Sequence, residues 1–272
     1  MEAGLKKTGR KKELGVDNQG IQKNMRWYHY LGDGITMLAL NALTGLVGML
    51  TYFYTDKIGL AAASVGSILL ATKIFDAVTD LFMGRIVDKT KSKWGKVRPW
   101  FLWMSLPICM IIIALFCIPA NASQSTKTIY ALITNILATA VIYTAVSIPY
   151  GCLMAIRTKS IEERSTMGIF RSVFGYVAGM VISILLIPVT NILGGDQNAW
   201  IRIAVIFGVI SAVSLLTTFV VSKEENTEVY INNNEDKSEE DLSFQESVLL
   251  LFKNFYIYLI TIIIFNILQY AV

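Results

Sequence analysis

The sequence predicts an all-α membrane protein, six full transmembrane helices followed by the start of a seventh. Three observations lead there. Hydrophobic residues make up 54% of the 272 residues and charged ones only 16%, well below the quarter usual in soluble domains, and the mean hydropathy is +0.54. Apolar runs long enough to cross a hydrocarbon core of about 30 Å follow one another along most of the chain. Lys and Arg gather in alternate loops, the asymmetry that orients membrane proteins.

The elements follow in order. A basic tail, residues 1–28, carries Lys6, Lys7, Arg10, Lys11, Lys12, Lys23 and Arg26. It lacks a short apolar core with a small-residue cleavage site, so it is not read as a secretory signal. Within a bundle over 29–221, spans are expected at 35–54, 64–87, 99–119, 129–154, 167–192 and 200–221. Trp27, Tyr28 and Tyr30 before the first span, and Tyr52, Phe53 and Tyr54 at its end, are expected as interfacial aromatics. Residues 222–253 are polar and rich in Glu and Asp, too poor in apolar residues to build a core, and read as a cytoplasmic linker. A further apolar stretch, 254–272, reads as the start of a seventh helix, truncated at Val272.

Orientation comes from the basic loops. After the second span stand Lys89, Lys91, Lys93, Lys96 and Arg98; before and into the fifth stand Arg157, Lys159, Arg164 and Arg171; after the sixth stand Lys223, Lys237 and Lys253. The opposite loops hold only Lys57, Lys127 and Arg202. The N-terminus is therefore expected in the cytoplasm of a multi-pass protein of the cytoplasmic (inner) membrane. The net charge of +4 reflects this topology, and no nucleic-acid partner is expected.

The second span is the chemically informative one. It carries Lys73, Asp76 and Asp80 between apolar flanks. A central carboxylate costs about 2.5–3.5 kcal/mol to insert, so two of them on one helix ask for a function. At three- and four-residue spacing all three side chains share a face that has to look into protein or a watery cavity. Two carboxylates there offer a hard cation both charge and oxygen ligands. The plain alternative is a Lys73–Asp76 pair that neutralises itself.

Catalytic patterns are missing from the sequence. Cys109, Cys117 and Cys152 fall in expected helices and read as small packing residues. His29 is the single histidine, which excludes multi-histidine metal sites and leaves a solvated or interfacial residue. With no nucleotide loop, nucleophile elbow or zinc spacing, the chain is not expected to be an enzyme or to hold a cofactor.

The run Lys73 to Asp80, continued by Met83-Gly84-Arg85, Asp88-Lys89, Lys91, Lys93-Trp94-Gly95-Lys96 and Arg98-Pro99-Trp100, resembles the second helix and following loop of a known family. This is the melibiose permease-like family of glycoside–pentoside–hexuronide:cation symporters, within the major facilitator superfamily. Tyr52 to Asp56, Ser147-Ile148-Pro149-Tyr150-Gly151, and Glu163-Arg164 with Arg171 agree with it. The resemblance covers most of residues 30–255 and implies the N-terminal six-helix half of a symporter about twice this length. The implied partners are a sugar or glycoside, a coupling cation, the lipid bilayer and a missing C-terminal half.

The resemblance also implies roles. Asp76 and Asp80 would hold the coupling cation, sodium or a proton, and would be the metal ligands if it is sodium. Thr79 and Thr144 match positions that add neutral oxygens, although a membrane-helix threonine also has its own backbone to bond. Arg171 matches a helix-five arginine that binds sugar hydroxyls, a task suited to a planar five-donor guanidinium. Tyr150, Lys73 and Asp33 complete the substrate-binding candidates, although the family register places its helix-one sugar ligand on Leu40. Ser147 and Gly151 depart from the pattern that goes with melibiose, and the sugar stays open among glycosides, pentosides and hexuronides. Gly84, Asp88, Lys89 and Lys91 fit the superfamily loop that clamps the two halves in one state. One half supplies one wall of the cavity, so coupled transport by this chain alone is not expected. A non-transporting membrane remnant or interaction module is the alternative function.

The charge asymmetry yields a topology prediction. In a background without native cysteines, single cysteines at Ser92 and Ser238 are shielded from an impermeant thiol reagent in intact cells; labelling of both from outside contradicts the orientation.

Overall fold

The computed structural model describes residues 14–222 and Ile260. Residues 14–222 belong to the first of two compact units, Met1–Glu225, and Ile260 to the second, Asn226–Val272. The start of the basic tail and, Ile260 apart, the expected linker beyond Ser222 and seventh helix lie outside the described residues.

Six helical rods stand at the six expected places: α1 (Trp27–Lys57), α2 (Ala62–Lys89), α3 (Arg98–Ala114), α4 (Gln124–Arg157), α5 (Ile161–Ile192) and α6 (Gln197–Val221). Among the described residues β structure is limited to an isolated bridge between Val16 and Gln22. By length and composition alone, α1, α4, α5 and α6 qualify as membrane spans. The 28-residue α2 is long enough but carries the charges discussed above, and α3 has 17 residues.

The short α3 corrects the expected 99–119 span and takes Cys117 out of a helix. Beyond Ala114 the chain tightens into turns, Phe116 N–H to Ile113 O and Cys117 N–H to Ala114 O. This turns Phe116 inward. It stacks on Trp200 with ring centroids 5.5 Å apart and meets Phe53 edge-on at 4.9 Å. The carbonyls of Phe116 and Ile118 freed by the unwinding accept hydrogen bonds from the Gln197 side-chain amide at 2.9 and 2.7 Å. The same cluster corrects the aromatic belt. Trp27 is 69% exposed, whereas Phe53 and Tyr54 are fully buried and serve as core, because α1 ends against α3 and α6 rather than at open interface.

Local chemistry sets the boundaries. Ser123, Ser160 and Asp196 each accept a backbone N–H from the first turn of α4, α5 and α6. Pro99 opens α3, where a missing N–H costs nothing. Gly194 and Gly195 follow α5 at φ of 114° and 66°, a conformation that favours glycine. In packing, α3 lies most extensively along α6, α2 along α4, and α1 between α5 and α6.

Among the described residues one end of the bundle gathers Lys23, Arg98 and Arg157 with the end of α6 and the start of α5. Arg98 Nε donates to Phe219 O at 2.6 Å, and Arg157 donates to Val221 O and Ser222 Oγ at 3.0 and 3.1 Å. Two guanidinium groups thus satisfy carbonyls at the negative end of α6. Trp94 packs edge-on against Phe219, and Trp100 Nε1 donates to Thr90 Oγ1, so the α2–α3 loop is fastened over that end.

The tail is fastened there too. Glu163 Oε1 accepts the backbone N–H groups of Asn24 and Met25, its Oε2 accepts Thr158 Oγ1, and Lys23 pairs with Glu162 at 2.9 Å. Asp17 Oδ1 accepts the N–H groups of Gln19 and Ile21, and its Oδ2 accepts Ser160 Oγ at 2.6 Å. The Ser160 hydroxyl above all, then these backbone donors, holds the Asp17 carboxyl below the usual carboxylate range. A depressed pKa contributes to docking above the ordinary value of about 3.9 and ceases to contribute as pH falls through the folded one. A spin label at Gln19→Cys is therefore immobile at neutral pH and released by acidification below about pH 4, and is mobile throughout in Asp17→Ala. Equal mobility at both pH values in both proteins contradicts this role.

Candidate functional site

The face of α2 turned to α4 is built on Val65, Ile68, Thr72, Met83 and Val87, all buried. Asp76 and Asp80 follow Thr72 in four-residue steps at the edge of that stripe, Asp76 half-buried and Asp80 exposed. On α4 the facing segment is irregular. Leu137–Tyr143 forms a π-helical stretch, and Thr144 just past it sends its hydroxyl toward Thr139 O, five residues back, at 3.2 Å. The same hydroxyl donates to Asp80 Oδ1 at 2.9 Å. Irregular turns of this kind often mark functional positions.

Lys73 Nζ lies 3.3 Å from Asp76 Oδ2, with the lysine side chain 75% exposed and the aspartate 20%. The self-neutralising pair foreseen from spacing thus exists, but its lysine end is open. Asp76 Oδ1 and Asp80 Oδ2 take no bond among the described residues. Two carboxylate oxygens and the Thr144 hydroxyl therefore remain for a small cation. Thr79 is not brought to them: its hydroxyl bonds Phe75 O and Asp76 O of its own helix, both at 3.0 Å. Among the described residues no three His, Cys, Asp or Glu side chains converge on a point.

A second charged centre joins α1, α4 and α5. Asp33 is fully buried and accepts Arg171 Nε on Oδ2 at 2.6 Å and Arg171 Nη2 on Oδ1 at 2.8 Å. Tyr150 donates its hydroxyl to the Asp33 carbonyl at 2.9 Å, and its ring lies 3.7 Å beneath the guanidinium carbon. Breaking one member of such a buried pair strands the other at a cost of about 3–5 kcal/mol.

Glycines allow this approach. A Cβ on Gly32 would fall 2.6 Å from Val221 Cγ1, and one on Gly34 would fall 2.7 Å from Phe174 Cδ2 and 3.2 Å from Phe170 O. Thr36 and Thr218 meet at 2.6 Å, and Thr218 also donates to Gly32 O. Gly32, Gly34, Thr36 and Thr218 are the members that reading the sequence missed. The available signal was the run Leu31-Gly32-Asp33-Gly34, an acid between two glycines inside an apolar helix.

Of the loop candidates, Gly84, Asp88 and Lys89 lie within α2, Gly84 one turn beyond Asp80, and Lys91 follows the helix. Asp88, Lys89 and Lys91 are exposed, and Gly84 has open space where a side chain would be.

A charged stripe on α2 beside α4, and a buried ion pair between α1 and α5, stand in a bundle of long apolar helices of the kind that cross a membrane several times. Residues 32–272 match the family described as MFS/sugar transport protein, and the chain belongs to that family, as the N-terminal bundle of the fold. It is 33% identical over 210 residues to an isoprimeverose transporter of Lactiplantibacillus pentosus, covering 75% of this chain and 43% of that protein. It is 37% identical over 147 residues to the inner membrane symporter YicJ of Escherichia coli strain K12, covering 54% and 32%. It is 30% identical over 170 residues to a glucuronide carrier protein homolog of the same organism, covering 62% and 37%. The chain spans less than half the length of these relatives.

The glycine contacts give a prediction. Gly34→Ala lowers stability by about 1–3 kcal/mol, because both the Phe174 ring and the Phe170 backbone stand in the way. Gly48→Ala, with no atom within 4 Å of its Cβ position, stays within about 0.5 kcal/mol of the parent. Thermal unfolding in detergent compares them; equal midpoints contradict the close approach.

Proposed function

We propose that this chain forms the N-terminal half of a symporter that carries a sugar or glycoside across the cytoplasmic membrane together with sodium or a proton, with its N-terminus in the cytoplasm. The observation that carries the reading is the Asp80–Thr144 contact across α2 and α4 with Asp76 one turn away. This is a carboxylate pair with two of its four oxygens unbonded among the described residues. A sodium ion there takes oxygens from Asp76, Asp80 and Thr144; a proton takes one carboxylate. Either neutralises charge that would otherwise have to cross an apolar barrier, and so couples the cation to movement of the half.

On the sugar side, Arg171 keeps Nη1 unbonded among the described residues, a donor for a sugar hydroxyl, while Tyr150 supports its plane from below. Lys73 stands open beside the cation pair, its side chain 75% exposed. Gly84, Asp88, Lys89 and Lys91 form, on this reading, the surface that clamps against the second half. Alternating access then follows from rocking of the two halves about a midplane site.

The test uses a transporter in which this chain is completed by a C-terminal half of the family. Asp80→Cys abolishes cation-driven accumulation of a labelled glycoside, because a neutral thiol does not replace a charged oxygen ligand, and leaves downhill flux measurable. Accumulation at the parent level assigns Asp80 a purely structural part.

A further inference from the structure

Among the described residues five charged side chains lie more than about one and a half turns inside their helices: Asp33 in α1, Lys73, Asp76 and Asp80 in α2, and Arg171 in α5. They fall into two groups. In α2, one lysine stands beside two aspartates, a formal charge of −1 that a single monovalent cation balances. Between α1 and α5, one aspartate meets one arginine and the formal charge is zero.

The second group is closed in a specific way. Asp33 is wholly buried and both its carboxylate oxygens are engaged by Arg171. It therefore has no free oxygen and no exposed surface with which to touch a sugar. Its carbonyl is engaged as well, by Tyr150. What Asp33 does is fix and neutralise. The side-on, two-bond geometry sets the roll of the guanidinium plane, the Tyr150 ring covers one face at 3.7 Å, and Nη1 is the edge that remains. That edge is a hydrogen-bond donor whose positive charge is already compensated by a carboxylate in contact. For a neutral hydroxyl the donor is what matters. An anionic carboxylate would need the net charge, and here the carboxylate of Asp33 opposes it at close range in a low-dielectric setting.

We propose that Asp33 is a positioning and charge-cancelling residue for Arg171, and that it makes this half select neutral glycosides and pentosides against hexuronides. This rests on the reading that Arg171 contacts the sugar. Asp33 itself is then not a sugar ligand, and its effect on transport runs through the arginine.

The experiment measures Vmax/KM for methyl xyloside and methyl glucuronide in the completed transporter. The parent favours the xyloside by at least about tenfold. Asp33→Asn moves the ratio toward the glucuronide by about tenfold or more, and Asp33→Glu, which keeps the charge, holds the parent ratio. A role in folding alone would change the amount of protein in the membrane but not this ratio. Should Asp33→Asn not fold, the pair Asp33→Asn with Arg171→Gln removes both charges together and strands neither. That double variant falls to the xyloside efficiency of Arg171→Gln alone if Asp33 acts through Arg171, and falls further if Asp33 binds sugar itself. A parent preference for the glucuronide, an unchanged ratio in Asp33→Asn, or a further fall in the double variant overturns the proposal. Arg171→Gln with parent efficiency for both sugars overturns instead the reading on which it rests.

Discussion

A charge placed among apolar helices has to be matched within reach, and this constraint organises the bundle. Asp33 and Arg171 meet it completely, in a closed pair between α1 and α5. Helix α1 is held there because two glycines let its backbone sink toward α5 and α6, and the Thr36–Thr218 contact fastens the same α1–α6 seam. Asp76 and Asp80 meet the constraint only in part, through an open lysine and one threonine hydroxyl. Structural solidity belongs to the first pair and unsatisfied capacity to the second.

The ends of the bundle follow a parallel logic with backbone groups. Carbonyls at the end of α6 are met by Arg98 and Arg157, and carbonyls released past α3 are met by Gln197. The tail segment contributes two backbone donors to Glu163. Irregular backbone at these places is tolerated because each freed group finds a side chain, as a membrane protein requires wherever water is not at hand.

Much of this was legible in the sequence. The six helices stand where apolar runs placed them, and the shared face of Lys73, Asp76 and Asp80 follows from spacing alone. What could not be read was pairing between distant segments. Asp33 and Arg171 are 138 positions apart, and nothing local tells that one holds the other. The end of α3 was also hidden, because hydropathy sees Leu115 to Ile118 as more of the same apolar run, whereas the aromatic partners of Phe116 come from α1 and α6. Phe53 and Tyr54 were misread as a belt for the same reason: amphipathic position in sequence does not reveal a neighbouring helix end. The π-helical stretch in α4 leaves no mark in composition at all.

That stretch has a consequence for how α4 can be used as a moving part. An α-helix advances about 100° per residue, and a π turn holds one residue more than an α turn. Segments of α4 before and after Leu137–Tyr143 are thus out of phase by that angle. Absorbing the extra residue into regular helix would rotate Thr144 away from Asp80 and lengthen the rod by about 1.5 Å, the rise of one residue. The threonine oxygen is in this sense on a detent: one residue of slack, stored in a single rod, is enough to present it or withdraw it.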